Sequence, residues 1–73
     1  MNEALKTARV VRRWTHEKTA KRAGITRSLY TLTEGGRIPS LRTAYKIAEA
    51  LGERVDEIFL PSDVLNQKQT MED

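Results

Sequence analysis

Residues 15–34 read THEKTAKRAGITRSLYTLTE, and this stretch decides the fold. Thr15 and Thr26 each stand where a side-chain hydroxyl can accept a hydrogen bond from the first main-chain N–H groups of a helix. Gly24 lies between them and can end the first helix. Ala20, four residues earlier, is small enough to let two helices approach closely. The pattern therefore predicts two short helices joined by a tight turn.

Two helices joined in this way form a helix-turn-helix. The first is predicted from about His16 to Ala23 and the second from about Arg27 to Gly35. Such a unit buries only part of its apolar surface when it is alone. We therefore expect the rest of the chain to pack around it and to fix its orientation.

Three further helices are predicted outside this unit. One covers roughly residues 2–12 with Asn2 as its cap, another begins after the cap Ser40 and ends at Gly52, and a short one follows that glycine. The apolar residues that recur at helical spacing in them are Leu5, Ala8, Val11, Leu41, Ala44, Ile47, Ala48, Leu51, Val55, Ile58 and Phe59. The sequence therefore predicts a compact all-α domain of five helices.

The chain has 73 residues, which is enough for one domain. We expect this domain to occupy residues 1–60. Residues 61–73 (PSDVLNQKQTMED) are polar and nearly without pattern, so we predict a flexible tail in which only Val64 and Leu65 could serve as an apolar anchor.

Charge is divided unevenly along the chain. Residues 1–46 contain eleven Lys and Arg against three Asp and Glu, whereas residues 47–73 contain two against seven. A basic part of this size indicates a polyanionic partner, most simply nucleic acid. Solvated helix faces would produce the same composition.

Composition excludes several classes of protein. The chain has no cysteine and a single histidine, His16, so neither a metal site nor a His-dependent catalytic centre is expected, and no cofactor is predicted. No nucleophile and base can be paired, which argues against an enzyme. Because the sequence has neither a signal peptide nor a membrane-spanning run, we expect a cytoplasmic protein without membrane contact.

The outward face of the third helix depends on which residue anchors it. With Tyr30 inward, helical geometry turns Ser28, Thr31 and Leu32 outward and leaves Arg27 at the exposed amino-terminal end. With Leu29 and Leu32 as anchors, the helix exposes Arg27, Thr31 and part of Tyr30. Arg27, Ser28 and Thr31 are available under either choice, and such side chains hydrogen-bond to base edges.

Three other residues have two readings each. His16, in the first turn of the second helix, is placed to touch a phosphate or is solvated. Trp14, in the preceding connection, covers the core or stacks on a base, and we favour the core. Arg42 contacts a phosphate or is a solvated first-turn arginine.

The ordered motifs resemble the lambda-repressor-like helix-turn-helix family of the phage Cro and xenobiotic-response-element type. The resemblance covers about residues 4–60, and its specificity comes from the combination of motifs. The matching residues are Leu5, Ala8-Arg9, Trp14–Glu17, Ala20, Gly24–Ser28, Glu34, Gly36, Pro39–Leu41, Ile47-Ala48, Ala50–Gly52 and Asp56–Phe59.

The resemblance implies that the helix starting near Arg27 is a recognition helix in the major groove of double-stranded DNA. The residues that would face bases are Arg27, Ser28, Thr31 and Leu32. The residues that would contact the DNA backbone are Thr15, His16, Thr26, Arg37, Ser40 and Arg42. Arg9 and Glu34 occupy the positions of an ion pair between the first and third helices that is typical of the family.

Several positions depart from the family pattern. Thr19 replaces a large aliphatic residue, Arg13 replaces a glycine, and Thr33 stands where an apolar anchor is usual. The span from Gly36 to Pro39 is also one residue short. Aligning the family glycine with Gly35 repairs that loop and makes Leu29 and Leu32 the anchors, but it removes Glu34 from its ion-pair position. We prefer Glu34 paired and a shortened loop.

Two functions from different classes follow. The first is a sequence-specific DNA-binding transcriptional regulator, a repressor that binds a palindromic operator as a homodimer. The alternative is an antitoxin-like or other protein-interaction module on the same fold, with a protein partner held through the fifth helix and the tail.

Overall fold

The computed structural model describes residues 1–59, which form five α-helices. These are α1 (Glu3–Val11), α2 (His16–Ala23), α3 (Arg27–Glu34), α4 (Leu41–Leu51) and α5 (Val55–Ile58). The all-α architecture predicted from the sequence is confirmed. The predicted tail, residues 61–73, lies outside the described residues, so its flexibility and the domain boundary at residue 60 stay predictions.

Four helices begin with a side-chain cap. Asn2 accepts a hydrogen bond from the Leu5 N–H at 3.0 Å, and Asn2 also donates through Nδ2 to the Ile58 carbonyl oxygen at 3.1 Å. The other three capping residues are Thr15, Thr26 and Ser40. The second contact of Asn2 joins the start of α1 to the end of α5, so this cap also closes the fold.

The core lies where all five helices meet. α2 packs against α3 and α4, α4 packs against α5, and α1 packs against α3 and α5. The side chains that form the core are Leu5, Ala20, Ala23, Tyr30, Ala44, Ile47, Leu51, Ile58 and Phe59. Burying each large apolar side chain contributes roughly 1.5–3 kcal/mol, which is the main source of stability in a chain without cysteine.

The anchor of α3 is Tyr30. Its side chain is fully buried, whereas Leu32 is 49% exposed and Leu29 is half-buried. The register that uses Leu29 and Leu32 as anchors is therefore wrong, and the preferred alternative with Tyr30 inward describes the structure. It follows that Ser28, Thr31 and Leu32 are on the outer side of α3.

The departures from the family pattern are accommodated locally. Thr19 and Thr33 are fully buried, and their hydroxyl groups donate to the carbonyl oxygens of Thr15 and Leu29, each at 2.8 Å. Because each hydroxyl bonds within its own helix, it needs no further partner in the core. Arg13 adopts φ 59°, the left-handed conformation for which glycine is favoured.

No helix within residues 1–59 has the length and apolar content that crossing a membrane requires.

Candidate nucleic-acid interface

The four side chains predicted to face bases lie together. Arg27, Ser28, Thr31 and Leu32 line one shallow depression on the outer side of α3, and all four are exposed. The set combines a guanidinium with five donors, two hydroxyl groups that donate or accept, and one apolar side chain. These are the groups that hydrogen-bond to base edges and contact thymine methyl groups.

The position of this depression follows from the turn between α2 and α3. Gly24 ends α2 in the left-handed conformation with φ 74°, and its N–H bonds to the Lys21 carbonyl oxygen at 3.2 Å. Two residues later the Thr26 hydroxyl accepts from the Leu29 N–H at 3.1 Å and starts α3. This places Arg27 at the first, exposed position of α3.

The predicted backbone-contacting hydroxyl groups are all helix caps. Thr15 Oγ1 accepts from the Lys18 N–H at 3.0 Å, and Thr26 acts in the same way at α3. A hydroxyl that accepts from a main-chain N–H keeps its own hydrogen for donation. Ser40 also caps, but its Oγ donates to Thr43 Oγ1 at 3.1 Å, so its hydrogen already has an acceptor.

Basic side chains predominate in the segment that contains the depression. Between residues 15 and 42 the exposed charged side chains comprise one acid, Glu17, and six cations. The cations are Lys18, Lys21, Arg22, Arg27, Arg37 and Arg42. Arg37 is held next to α3 because its main-chain N–H donates to the Leu32 carbonyl oxygen at 2.9 Å. The segment that contains the candidate site therefore has an excess of exposed positive charge.

Beneath this surface, the carboxylate of Glu34 joins three helices. Arg9 on α1 donates from Nε to Oε1 at 2.8 Å and from Nη2 to Oε2 at 3.1 Å. The Tyr30 hydroxyl donates to Oε1 at 2.7 Å, and Nε2 of His16 lies 3.2 Å from Oε2. The ion pair implied by the family resemblance is thus present in the structure, with two further partners on α2 and α3.

These contacts determine the charge state of the cluster. Burial raises the pKa of Glu34, but hydrogen bonds from Arg9 and Tyr30 lower it by more, so the net pKa lies below its usual value. The hydrogen bond to Glu34 raises the pKa of Arg9. Burial, followed by the hydrogen bond and charge of Glu34, raises the pKa of Tyr30 far above its usual range. The cluster therefore contains an ionised carboxylate, a guanidinium and a neutral phenol.

His16 has partners on both ring nitrogens. Besides the Glu34 contact of Nε2, Nδ1 lies 2.9 Å from Oγ1 of Thr31, and the ring packs edge-on against Tyr30 with centroids 5.4 Å apart. The ring is therefore occupied within the protein. For the predicted phosphate contact, the first turn of α2 offers main-chain N–H groups that have no intrahelical acceptor.

Trp14 packs partly buried against the core. Lys18 and Arg22 lie over its ring, at 5.6 and 4.7 Å from the centroid. The core interpretation of this residue is therefore the one that the structure supports, because two cations of α2 cover its outer face.

Comparison with known proteins identifies the family of the chain. The sequence profile of a family described as a helix-turn-helix domain matches residues 2–63. The chain belongs to this helix-turn-helix family. The predicted resemblance to lambda-repressor-like proteins is confirmed, and α2 and α3 are the two helices of its motif.

Several archaeal proteins are similar to the chain. An uncharacterized HTH-type transcriptional regulator of Methanocaldococcus jannaschii is 36% identical over 64 residues, which cover 86% of this chain and 97% of that protein. A protein of the same description from Archaeoglobus fulgidus is 40% identical over 67% of this chain and 71% of its own length. Another, from Methanothermobacter thermautotrophicus, is 46% identical over 63% of this chain and 70% of its own length. No solved structure matches the chain at a significant level.

Sequence reasoning about this helix-turn-helix missed the contacts around the ion pair. Tyr30 and Glu34 are four residues apart on one helix, so their hydrogen bond could have been predicted from helical spacing. The contact between His16 and Thr31 depends on how α2 crosses α3, and the spacing of residues along the chain does not reveal it.

Proposed function

We propose that the protein is a DNA-binding transcriptional regulator that places α3 in the major groove. The observation that carries this proposal is the shared depression of Arg27, Ser28, Thr31 and Leu32 on an exposed helix face. Membership of a helix-turn-helix family and similarity to proteins described as transcriptional regulators support it. Arg27 would grip guanine, the hydroxyl groups would bond to base edges, and Leu32 would contact thymine methyl groups.

Contacts to the sugar-phosphate backbone would fix the position of α3. The first turn of α2, with the hydroxyl of Thr15 and the main-chain N–H of His16, would bind one phosphate, and Thr26 would donate a hydrogen bond at the start of α3. Arg37 and Arg42 would follow the backbone on the other side of the groove, together with the main chain at the start of α4, since the hydroxyl hydrogen of Ser40 is donated to Thr43. Such contacts supply affinity that is independent of sequence and falls with salt.

The protein would act as a homodimer on a palindromic operator. One eight-residue recognition helix reaches few base pairs, and two copies related by a two-fold axis would double the length of sequence that is read. Their recognition helices would lie about one turn of DNA apart, roughly 34 Å. Bound over a promoter, the dimer would repress transcription by occupying the DNA.

The surface between α4 and α5 supports a second candidate function, a protein-interaction module of the antitoxin-like kind. Its apolar side chains include Tyr45, which is 56% exposed. Its charged residues are Glu49, Glu53, Asp56 and one cation, Arg54; Arg54 pairs with Asp56 at 2.9 Å, and Glu53 pairs with Arg12 at 3.0 Å. The surface carries more acids than cations beside an exposed aromatic ring, a combination that disfavours DNA and suits a basic protein partner. A stable complex with such a partner in place of DNA would favour this candidate.

Selection of binding sites from random duplex DNA tests the main proposal. We expect one enriched motif with two-fold symmetry, and binding to it should weaken with salt at a slope of about −0.9 per phosphate contact. Recovery of no motif would contradict sequence-specific regulation. An enriched motif without symmetry would leave the DNA-binding proposal standing and would reject the homodimer.

A further inference from the structure

The imidazole of His16 connects the buried ion pair to the candidate base-reading surface. Nε2 lies 3.2 Å from Oε2 of Glu34, which is buried, and Nδ1 lies 2.9 Å from Oγ1 of Thr31, which is exposed. Thr31 is one of the four side chains that line the depression on α3. One ring nitrogen thus contacts the buried ion pair, and the other contacts a side chain of the depression on α3.

The charge state of Glu34 fixes the direction of one of these hydrogen bonds, and in a neutral ring it fixes the other as well. Glu34 accepts two hydrogen bonds from Arg9 and one from Tyr30, and an ionised carboxylate has no hydrogen to donate. Nε2 of His16 must therefore carry the hydrogen in the contact with Glu34. In the neutral imidazole Nδ1 then has a free lone pair, so the hydrogen between Nδ1 and Oγ1 belongs to Thr31.

We propose that His16 is a positioning residue that holds the Thr31 hydroxyl as a hydrogen-bond acceptor towards DNA. The hydroxyl hydrogen points at Nδ1, so only oxygen lone pairs face the groove. In the major groove the amino groups of adenine and cytosine are the donors, whereas guanine and thymine present acceptors at the corresponding positions. A threonine hydroxyl that is free to rotate could bond to both kinds of group, because it can donate to an acceptor as well as accept from an amino group. The inference rests on the proposed function, and it assigns a base preference to one contact within it.

The first test compares motifs selected by the wild type, Thr31→Val and His16→Phe. Thr31→Val identifies the motif position that Thr31 reads, because the preference there should disappear. Phenylalanine keeps a ring against Tyr30 but has neither nitrogen. Each base pair carries one amino donor, on adenine or on cytosine, so the test removes that amino group at the pair that Thr31 reads, with purine in place of adenine or 2-pyrimidinone in place of cytosine. We expect the removal to lower wild-type affinity by roughly three- to tenfold, the value of one hydrogen bond, and to lower the affinity of His16→Phe by less than about twofold. Glu17→Gln, an exposed change on the same helix, should leave the position unaltered.

The second test observes the ring directly. In protein with ¹⁵N-labelled histidine, NMR should find the hydrogen of the neutral ring on Nε2, and Thr31→Val should move the Nδ1 signal. A hydrogen on Nδ1, whether the ring is neutral or doubly protonated, would overturn the proposal. This measurement needs no change at His16, so it decides the question even where His16→Phe fails to fold.

The outcomes separate the two proposals. If the wild type selects no motif, the proposed function fails and this inference fails with it. If the wild type selects a motif, two results overturn the inference alone. Either removal of the amino group at the pair read by Thr31 leaves wild-type affinity unchanged, or it lowers the affinity of the wild type and of His16→Phe by the same factor.

Discussion

Arg9 on α1 and Glu34 at the end of α3 form a two-pronged ion pair, with Nε to Oε1 at 2.8 Å and Nη2 to Oε2 at 3.1 Å. The third nitrogen of the same guanidinium, Nη1, donates to the Trp14 carbonyl oxygen at 2.8 Å. One side chain therefore links α1, the connection before α2, and α3. The pair is well placed to fix the orientation of α3.

We predict that Glu34→Ala destabilises the fold by about 3 kcal/mol. The substitution leaves the largely buried guanidinium of Arg9 without its carboxylate and the Tyr30 hydroxyl without its acceptor. Urea unfolding monitored by circular dichroism measures the change. Glu17→Ala, at an exposed position, is the matched control and should change stability by less than about 0.5 kcal/mol.

A double-mutant cycle with Arg9→Met shows whether the loss belongs to the pair. The double variant should be destabilised by less than the sum of the two single variants, because neither charge is then left alone. Additive losses would mean that Arg9 and Glu34 contribute independently, and this would contradict the proposed role of the pair.

We predict that lowering the pH reduces the free energy of unfolding of the wild type by more than that of Glu34→Gln. The pKa of Glu34 is lowered in the folded protein, so its carboxylate stabilises the fold fully above the pKa of the unfolded chain. That contribution is lost as the pH falls from the ordinary glutamate value, about 4.3, through the lower folded value. Unfolding free energies of the two proteins should therefore converge below pH 4. A difference that stays constant from pH 7 to pH 3 would show that the ionisation of Glu34 does not stabilise the fold.

Arg27→Ala should lower affinity for the selected DNA site by about 1–3 kcal/mol and relax the preference at one base position. The reason is the loss of a bidentate contact from the first residue of α3. Fluorescence anisotropy with the selected duplex and with single-base variants measures both effects. Unchanged affinity and preference would remove Arg27 from the base-reading set.

Arg42→Ala should weaken binding to all sequences alike and make the salt slope shallower by about 0.9, as expected for the loss of one phosphate contact. Arg54→Ala removes the same charge from the acidic part of the chain, where Arg54 pairs with Asp56 at 2.9 Å, and is the control. A loss confined to the selected site would instead assign Arg42 to base reading.

Most of the fold could be predicted because local signals agree with it. Thr15, Thr26 and Ser40 cap the helices that they were expected to cap, and Gly24 and Gly52 end α2 and α4 in the left-handed conformation. These signals act within a few residues, so the sequence displays them directly. The pairing of Arg9 with Glu34 came from the family resemblance and also selected the correct inward residue, Tyr30.

The contacts of the site depend on tertiary geometry and were harder to predict. His16 was expected to contact a phosphate or solvent, but its ring lies between Glu34 and Thr31 because α2 and α3 cross at that point. The burial of Thr19 in the core was also missed. A polar residue is expected at the surface, but the Thr19 hydroxyl can be buried because it donates to the carbonyl oxygen of Thr15. The contacts with DNA stay predictions.

The central claim is that the outer face of α3 meets the DNA bases, and an NMR titration tests it most directly. ¹⁵N-labelled protein is mixed with the duplex obtained by selection, and the amide signals are followed to saturation. The account predicts that the largest shifts occur at Arg27, Ser28, Thr31 and Leu32, with small shifts at Val55 and Asp56. Shifts concentrated on α4 and α5, with α3 unaffected, would contradict it.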